Sequence, residues 1–462
     1  MTSALSPDPA ALQQRLRGHV LSPGDADYDT RRQVWNAMID RRPAMIARCA
    51  QPDDVPEALR FARDHGLEVC VRGGGHNIAG NAIADGALMI DLSEMRAVAV
   101  LAAERRARVQ GGATLADVDA ATQREGLAVP LGINSTTGVA GLTLGGGFGW
   151  LTRGLGMTVD SLVSAQVVTA DGRTVRASAE ENADLFWGLR GGGGNFGVVT
   201  EFEFELHPVG PEIHTALAVY PLEQGAQVLR NWRDYTASAP ESVSAWCVTR
   251  YAPPLPFLPA SAHGRMAVII AAACVADASE SEGLLAPLLR LGEPAGSMTA
   301  RQPYAQWQQA FDPLLTPGAR NYWKSHNFER VRDEVLDAIC EFGDRLPADE
   351  TDIFIGHIGG APNRVPQDAT AYAHRGARYV MNVHGRWRDA ATDAAGVAWA
   401  RGLFKACKPY ASSGAYQNFL TADETGRQEE AWGANHERLR QLKQRWDPDN
   451  VFHFNVNVLP AA

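Results

Sequence analysis

An α+β chain in two domains is the fold class the sequence predicts, on three observations. The chain has 462 residues, more than one compact core of roughly 150 residues accommodates. Up to residue 207, short apolar runs alternate with helical segments, interrupted by three glycine-rich blocks. After His207-Pro208 the texture changes, with fewer glycine triplets and more Trp, Tyr and Pro. A first domain over 1–207 and a second over 208–407 are therefore expected.

The elements follow in order. Asp53 or Asp54 can cap a helix with Pro56 in its first turn; Ala58, Phe61 and Ala62 share one face, and Gly66 stops it. A strand over 67–72 leads into Gly73-Gly74-Gly75-His76-Asn77, and another strand covers 87–92. Thr114 can cap a helix ending at Gly126. The second glycine block, 132–149, precedes a hairpin expected over 163–170 and 174–177 around Asp171-Gly172. The third block, 191–197, opens a strand in which Phe202, Phe204 and Leu206 alternate with Glu201, Glu203 and Glu205. Beyond it, 253–259 reads as a proline-rich loop, 268–275 as a strand, and 330–342 and 428–444 as helices.

Composition narrows the function classes. Apolar residues at 45% and charged residues at 21% are the balance of an ordinary globular protein. A net charge of −10 without a basic run argues against a nucleic-acid partner. Cys49, Cys70, Cys247, Cys274, Cys340 and Cys407 show neither CxxC nor zinc spacing and read as free buried thiols, with no metal site. Residues 1–9 lack a charged start followed by an apolar run, and no uninterrupted apolar stretch nears ~20 residues. A cytoplasmic protein without a secretory leader or membrane span is expected.

The glycine blocks carry the chemistry. Bare backbone lets successive N–H groups approach and cradle an anion. Gly73 and Gly75 satisfy the start of GxGxxG, but Ile78 stands where the third glycine belongs, and no GxxxxGK[ST] occurs. Three such blocks in one domain point instead to a long cofactor lying across several loops. His76, directly after three glycines, is the residue best placed against a bound ring system.

VRGGGHNIAG at 71–80, GINSTTGVAGLTLGGGFGWLTRGLGMTVD at 132–160, DLFWGLRGGGGNFGVVTEFEFELHP at 184–208, YQNF at 416–419 and RWDPDNVFHFNVNV at 445–458 together resemble the berberine bridge enzyme-like flavoproteins of the vanillyl-alcohol oxidase, or p-cresol methylhydroxylase-type (PCMH-type), superfamily. The resemblance implies a PCMH-type FAD-binding domain and a separate substrate domain built on an antiparallel sheet flanked by helices. It also implies a C-terminal segment, 408–462, that returns to the FAD domain.

The resemblance implies roles as well. His76 matches the histidine bonded to the flavin's ring methyl, and Arg72, Gly73, Gly74, Gly75 and Asn77 match the pyrophosphate loop. Gly138, Gly141, Gly194, Asn195, Gly197 and Val199, with Asn418, Asn455 and Asn457, match the flavin's surroundings. Many relatives carry a cysteine link where this chain has Asn134, so a single covalent bond through His76 is implied. Thr137 matches an oxygen gate and is close to valine in size, which favours an oxidase. Tyr416 matches a tyrosine facing flavin and substrate, and as a base it would need a nearby positive charge.

The implied activity is hydride transfer from an alcohol, sugar, phenolic or amine carbon to FAD, with molecular oxygen reoxidising the flavin to give peroxide. The alternatives are a flavin dehydrogenase using another acceptor and a non-catalytic flavin-fold binding protein. His357, His374 and Tyr372 are weaker catalytic candidates, and Trp246, Trp323 and Trp387 could line a pocket for an apolar or sugar ring but read more readily as core.

Overall fold

The computed structural model describes residues 7–412 and 414–461; positions 1–6, within the stretch where no leader is expected, lie outside the described residues. Two sheets organise the chain up to residue 205. The first has β1 (His19–Leu21), β2 (Met45–Arg48), β3 (Val69–Arg72) and β4 (Leu88–Asp91) in the order β1-β2-β4-β3. Its β2-β4 and β3-β4 pairs are parallel, so they need crossovers. Helix α1 (Asp54–Asp64) supplies one and buries Val55, Ala58, Leu59, Phe61 and Ala62.

The second sheet is antiparallel throughout. β5 (Val98–Leu101), β6 (Arg106–Gln110), β7 (Leu162–Val168), β8 (Thr174–Ser178) and β9 (Val198–Glu205) lie in the order β5-β6-β9-β7-β8. The Phe/Glu alternation of β9 does what its period of two requires: Phe202 and Phe204 are fully buried, while Glu205 is exposed. Helix α2 (Leu115–Thr122) begins with a capping box formed by Thr114 and Asp117. Helix α3 (Val139–Leu144) carries the second glycine block.

Seven strands form the largest sheet. β10 (Glu212–Pro221), β11 (Val243–Tyr251), β12 (Met266–Cys274), β13 (Gly296–Pro303), β14 (Arg320–Phe328), β15 (Asp352–His357) and β16 (Tyr379–Trp387) run antiparallel in the order β13-β10-β12-β11-β15-β16-β14. One face is apolar: Ala245, Cys247, Ile270, Ile353, Ile355, Met381 and Val383 pack in one core with helices α4 (Gly225–Ser238), α5 (Asp333–Gly343) and α6 (Asp393–Cys407). This is the expected α+β arrangement, with an antiparallel sheet flanked by helices.

The expected helix over 428–444 is corrected. Short 3₁₀ turns precede α7, which spans only His436–Trp446. Trp432 Nε1 donates to the Gly191 carbonyl at 3.1 Å, His374 Nε2 bonds the Ala431 carbonyl at 2.9 Å, and Gly433 turns left-handed at φ 48°. These tertiary ties draw the segment off a helical path. All six cysteines are free thiols, five of them buried as expected and Cys340 half-buried. Among the described residues, no helix is long and apolar enough to cross a membrane and no metal-binding cluster occurs.

Candidate active site

The three glycine blocks meet on one side of a cavity of about 410 Å³, and the other face of the seven-stranded sheet closes the opposite side. Gly74 and Gly138 explain the first two blocks. A Cβ on Gly74 would lie 2.2 Å from the Gly138 nitrogen, so the two loops touch backbone to backbone. Gly141 and Gly194 differ: a Cβ on either would meet nothing within 4 Å, because both face the cavity. The glycine end therefore has a bare backbone wall. Among the described residues, Arg250 is the one Arg or Lys lining the cavity, and it sits on the sheet.

His76 stacks on Trp35 with ring centroids 5.1 Å apart and planes at 22°. The Arg386 guanidinium lies 5.0 Å from the other ring in this stack, that of Trp35. Burial, reinforced by the Arg386 charge, pushes the His76 imidazole down to about 4, so the ring is neutral near pH 7. The neighbouring loop selects its tautomer. Thr136 donates its hydroxyl to Asn134 Oδ1 at 2.8 Å, so its oxygen must accept from His76 Nε2 at 3.0 Å. The Thr136 backbone N–H also donates to Asn134 Oδ1, at 3.2 Å. Nε2 thus carries the proton and Nδ1 the lone pair, with the Thr137 hydroxyl at a long 3.5 Å.

Most sequence-predicted residues converge. Gly73, Gly74, Gly75, His76, Asn77, Asn134, Thr137, Gly138, Gly141, Gly194, Gly197, Val199, Tyr416, Asn418 and Asn455 line the cavity. Arg72, Asn195 and Asn457 do not, a correction with clear causes for the first two. Arg72 is turned away into a fork with Asp91, at 3.1 and 2.5 Å, and bonds the Arg31 and Gln33 carbonyls. Asn195 ties the third block to the C-terminal segment, donating to the Val456 carbonyl at 3.0 Å and accepting from Val458 N–H at 2.9 Å. Nothing in the structure explains why Asn457 Oδ1 is buried without a partner.

Tyr416 projects from the C-terminal segment. Gly147 N–H and Asn418 Nδ2 both donate to its oxygen at 3.1 Å. Burial nevertheless pushes the phenol up to about 12, and no cation is among the groups acting on it. Of the cysteines, Cys70 lines the cavity, but burial pushes its thiol up to about 12 as well.

The sheet supplies further lining residues, most of which sequence reasoning missed. Trp246 and Arg250 on β11, Asp352 and Phe354 on β15, Asn382 and His384 on β16, and Trp323 on β14 all line the cavity. Trp246 and Trp323 are therefore wall residues, Trp246 belonging to a buried core cluster as well, and Trp387 packs in the helix-covered core. His357, stacked on Tyr379 at 4.7 Å, lies outside the cavity, as do His374 and Tyr372.

Comparison with known proteins agrees with this geometry. Residues 43–178 match the family described as FAD binding domain, and residues 415–459 the family described as berberine and berberine like. Berberine bridge enzyme-like 6 of Arabidopsis thaliana is 30% identical over 87% of this chain and 78% of its own length. The chain belongs to the berberine bridge enzyme-like family of FAD-linked oxidoreductases. The crystal structure of 6-hydroxy-D-nicotine oxidase from Arthrobacter nicotinovorans superposes with a TM-score of 0.85 at 26% identity, covering 96% of this chain and 98% of that one. Glucooligosaccharide oxidase from Acremonium strictum, described with a 6-S-cysteinyl, 8α-N1-histidyl FAD, gives a TM-score of 0.86 at 25% identity over 98% and 99% of the two chains.

The residues present fit the cofactor of a berberine bridge enzyme-like oxidase. Gly141 and Gly194 leave open the volume a Cβ would take, and Asn455 Oδ1 is buried at the wall without a partner.

Proposed function

We propose that this FAD-linked oxidase holds its flavin by one covalent bond to His76 and oxidises a small alcohol, sugar, phenolic or amine with molecular oxygen as acceptor. One observation carries the covalent reading: a neutral imidazole whose Nε2 proton is engaged by Thr136, leaving the Nδ1 lone pair as the nucleophile. A protonated or doubly bonded ring would have no such pair. Asn134 supplies no thiol for a second link, and the Cys70 thiol is pushed up to about 12, so it has little thiolate near pH 7.

Bound FAD supplies the two-electron acceptor. The chain supplies position and proton handling. The backbone at Gly73, Gly74, Gly138, Gly141, Gly194, Gly197 and Val199 forms the wall along which the cofactor would lie. Phe148, Trp246 and Phe419 make edge contacts at 6.1 Å or less that enclose the region around Tyr416 and exclude water. Burial keeps the proton on Tyr416, and with its oxygen already accepting two hydrogen bonds its O–H is left to donate a hydrogen bond to a substrate heteroatom. The positive charge that the base role requires is not beside it.

The test is a peroxide-release screen over cellobiose, 6-hydroxynicotine, aromatic alcohols and cyclic amines, with flavin absorbance followed in air and without it. Peroxide formed in step with substrate, and rapid recolouring of reduced flavin in air, are expected. Recolouring by a quinone but not by air would make the protein a dehydrogenase. No bleaching by any substrate class would favour a flavin-binding protein without turnover.

A further inference from the structure

Tyr416 does not explain where the substrate's proton goes. The seven-stranded sheet contains a second polar group that does. Asp352 and His384 sit directly opposite each other in the β15-β16 ladder, on the face turned to the cavity. His384 Nδ1 lies 3.3 Å from Asp352 Oδ1. A carboxylate only accepts, so Nδ1 bears a proton, and in the neutral ring Nε2 is a bare acceptor. His384 Nε2 is buried without a protein partner, and so is the Oδ1 of Asn382, two positions earlier on the same strand. Two buried, unpartnered acceptors on residues that line one cavity call for hydrogen-bond donors.

Resting on the oxidase reading above, we propose that His384 is the catalytic base of this site, with Asp352 as its positioning residue and Asn382 as a second substrate contact. Trp323 fixes the imidazole plane, meeting it edge-on at 4.5 Å and 89°. Arg250 from β11 reaches Asp352 at 3.6 Å and balances its charge. The other charged groups nearby are Arg386 on the same strand, paired with Glu350 at 2.8 Å, and His76 across Trp35.

The step balances. The substrate's O–H or N–H proton passes to His384 Nε2, the pair left on the heteroatom closes the C=O or C=N bond, and the C–H pair leaves as hydride to the flavin. The substrate class follows from the acceptors: a carbon bearing an O–H or N–H, with a second donor roughly 7 Å away to meet Asn382, the distance two residues span along a strand.

Two readouts test this on the full-length flavin-loaded protein. Nitrogen NMR of histidine-labelled protein, with His384→Gln for assignment, is expected to show His384 protonated on Nδ1 and bare on Nε2. In Asp352→Asn the proton is expected to move to Nε2, a change that a merely structural aspartate would not produce. A proton on Nε2 in the wild type overturns the proposal, with or without flavin bound. The second readout is anaerobic flavin bleaching by the best reductant of the screen above, followed against pH. His384→Gln is expected to bleach about 10²- to 10⁴-fold more slowly, at unchanged flavin content, and to lose the acid limb of the profile. An acid limb that persists in this variant overturns the proposal while leaving the oxidase reading intact; absence of flavin in the wild type overturns the oxidase reading instead.

Discussion

Replacing Thr136 with valine tests how the covalent bond is made. The substitution keeps the shape but removes the oxygen that accepts from His76 Nε2 at 3.0 Å. A neutral imidazole is then free to carry its proton on Nδ1, where it blocks the nucleophilic lone pair. A hydrogen bond of this kind contributes about 1 kcal/mol net, which corresponds to about five-fold in the tautomer ratio. Covalent incorporation should therefore slow by up to about five-fold in Thr136→Val. Asn134→Leu should act in the same direction, because Asn134 Oδ1 holds the Thr136 hydroxyl at 2.8 Å. The two act through one relay, so the double variant should be scarcely slower than either single one. The assay mixes flavin-free protein with FAD, quenches samples in acid at intervals, and reads flavin fluorescence retained in the denatured band. A wild-type rate in Thr136→Val, or two effects that simply multiply, would refute the relay.

Gly141→Leu should leave the thermal midpoint of the flavin-free protein nearly unchanged, because a Cβ there meets nothing within 4 Å, yet abolish flavin uptake read by absorbance. Lys443 Nζ donates to Asp447 Oδ2 at 2.7 Å and to the Asn195 and Phe452 carbonyls at 2.8 and 2.9 Å; Lys443→Met strands the Asp447 charge and should destabilise by about 3 kcal/mol in urea unfolding. Burial pushes Asp119, which touches Gln308 at 3.2 Å, up to about 7. The folded chain therefore holds a proton that the unfolded chain loses near pH 4, so stability should be full below about 4 and fall as pH rises to about 7, by at most about 4 kcal/mol. Asp119→Asn should remove that slope and be more stable than wild type at pH 8, as urea unfolding at pH 5 and pH 8 would show.

What could be read from the sequence was local. A triplet such as Gly73-Gly74-Gly75 signals close backbone approach within a few residues, and β9 announces itself by strict alternation. The sheet side of the cavity gave no such local signal. Asp352 lies in DIFIGH and His384 in YVMNVHGRW, where every residue of the second strand is buried. Alternation places Asn382 and His384 on one face and Met381 and Val383 on the other, but only the assembled sheet reveals which face is the core. Arg72 lies off the cavity wall for the converse reason. Its neighbours in sequence line the cavity, while its side chain answers Asp91 on the adjacent strand, 19 residues away. The helix expected over 428–444 failed where Trp432 and Ala431 bond to distant loops, which no helical periodicity registers.

The most direct test of the central claim is the intact mass of acid-denatured protein, wild type against His76→Ala. The wild type should be yellow and heavier than its polypeptide by one FAD, with the added mass on the peptide containing His76. The alanine variant should be colourless after acid and carry the polypeptide mass alone. Equal covalent flavin in both, or flavin released completely from the wild type, would contradict the account.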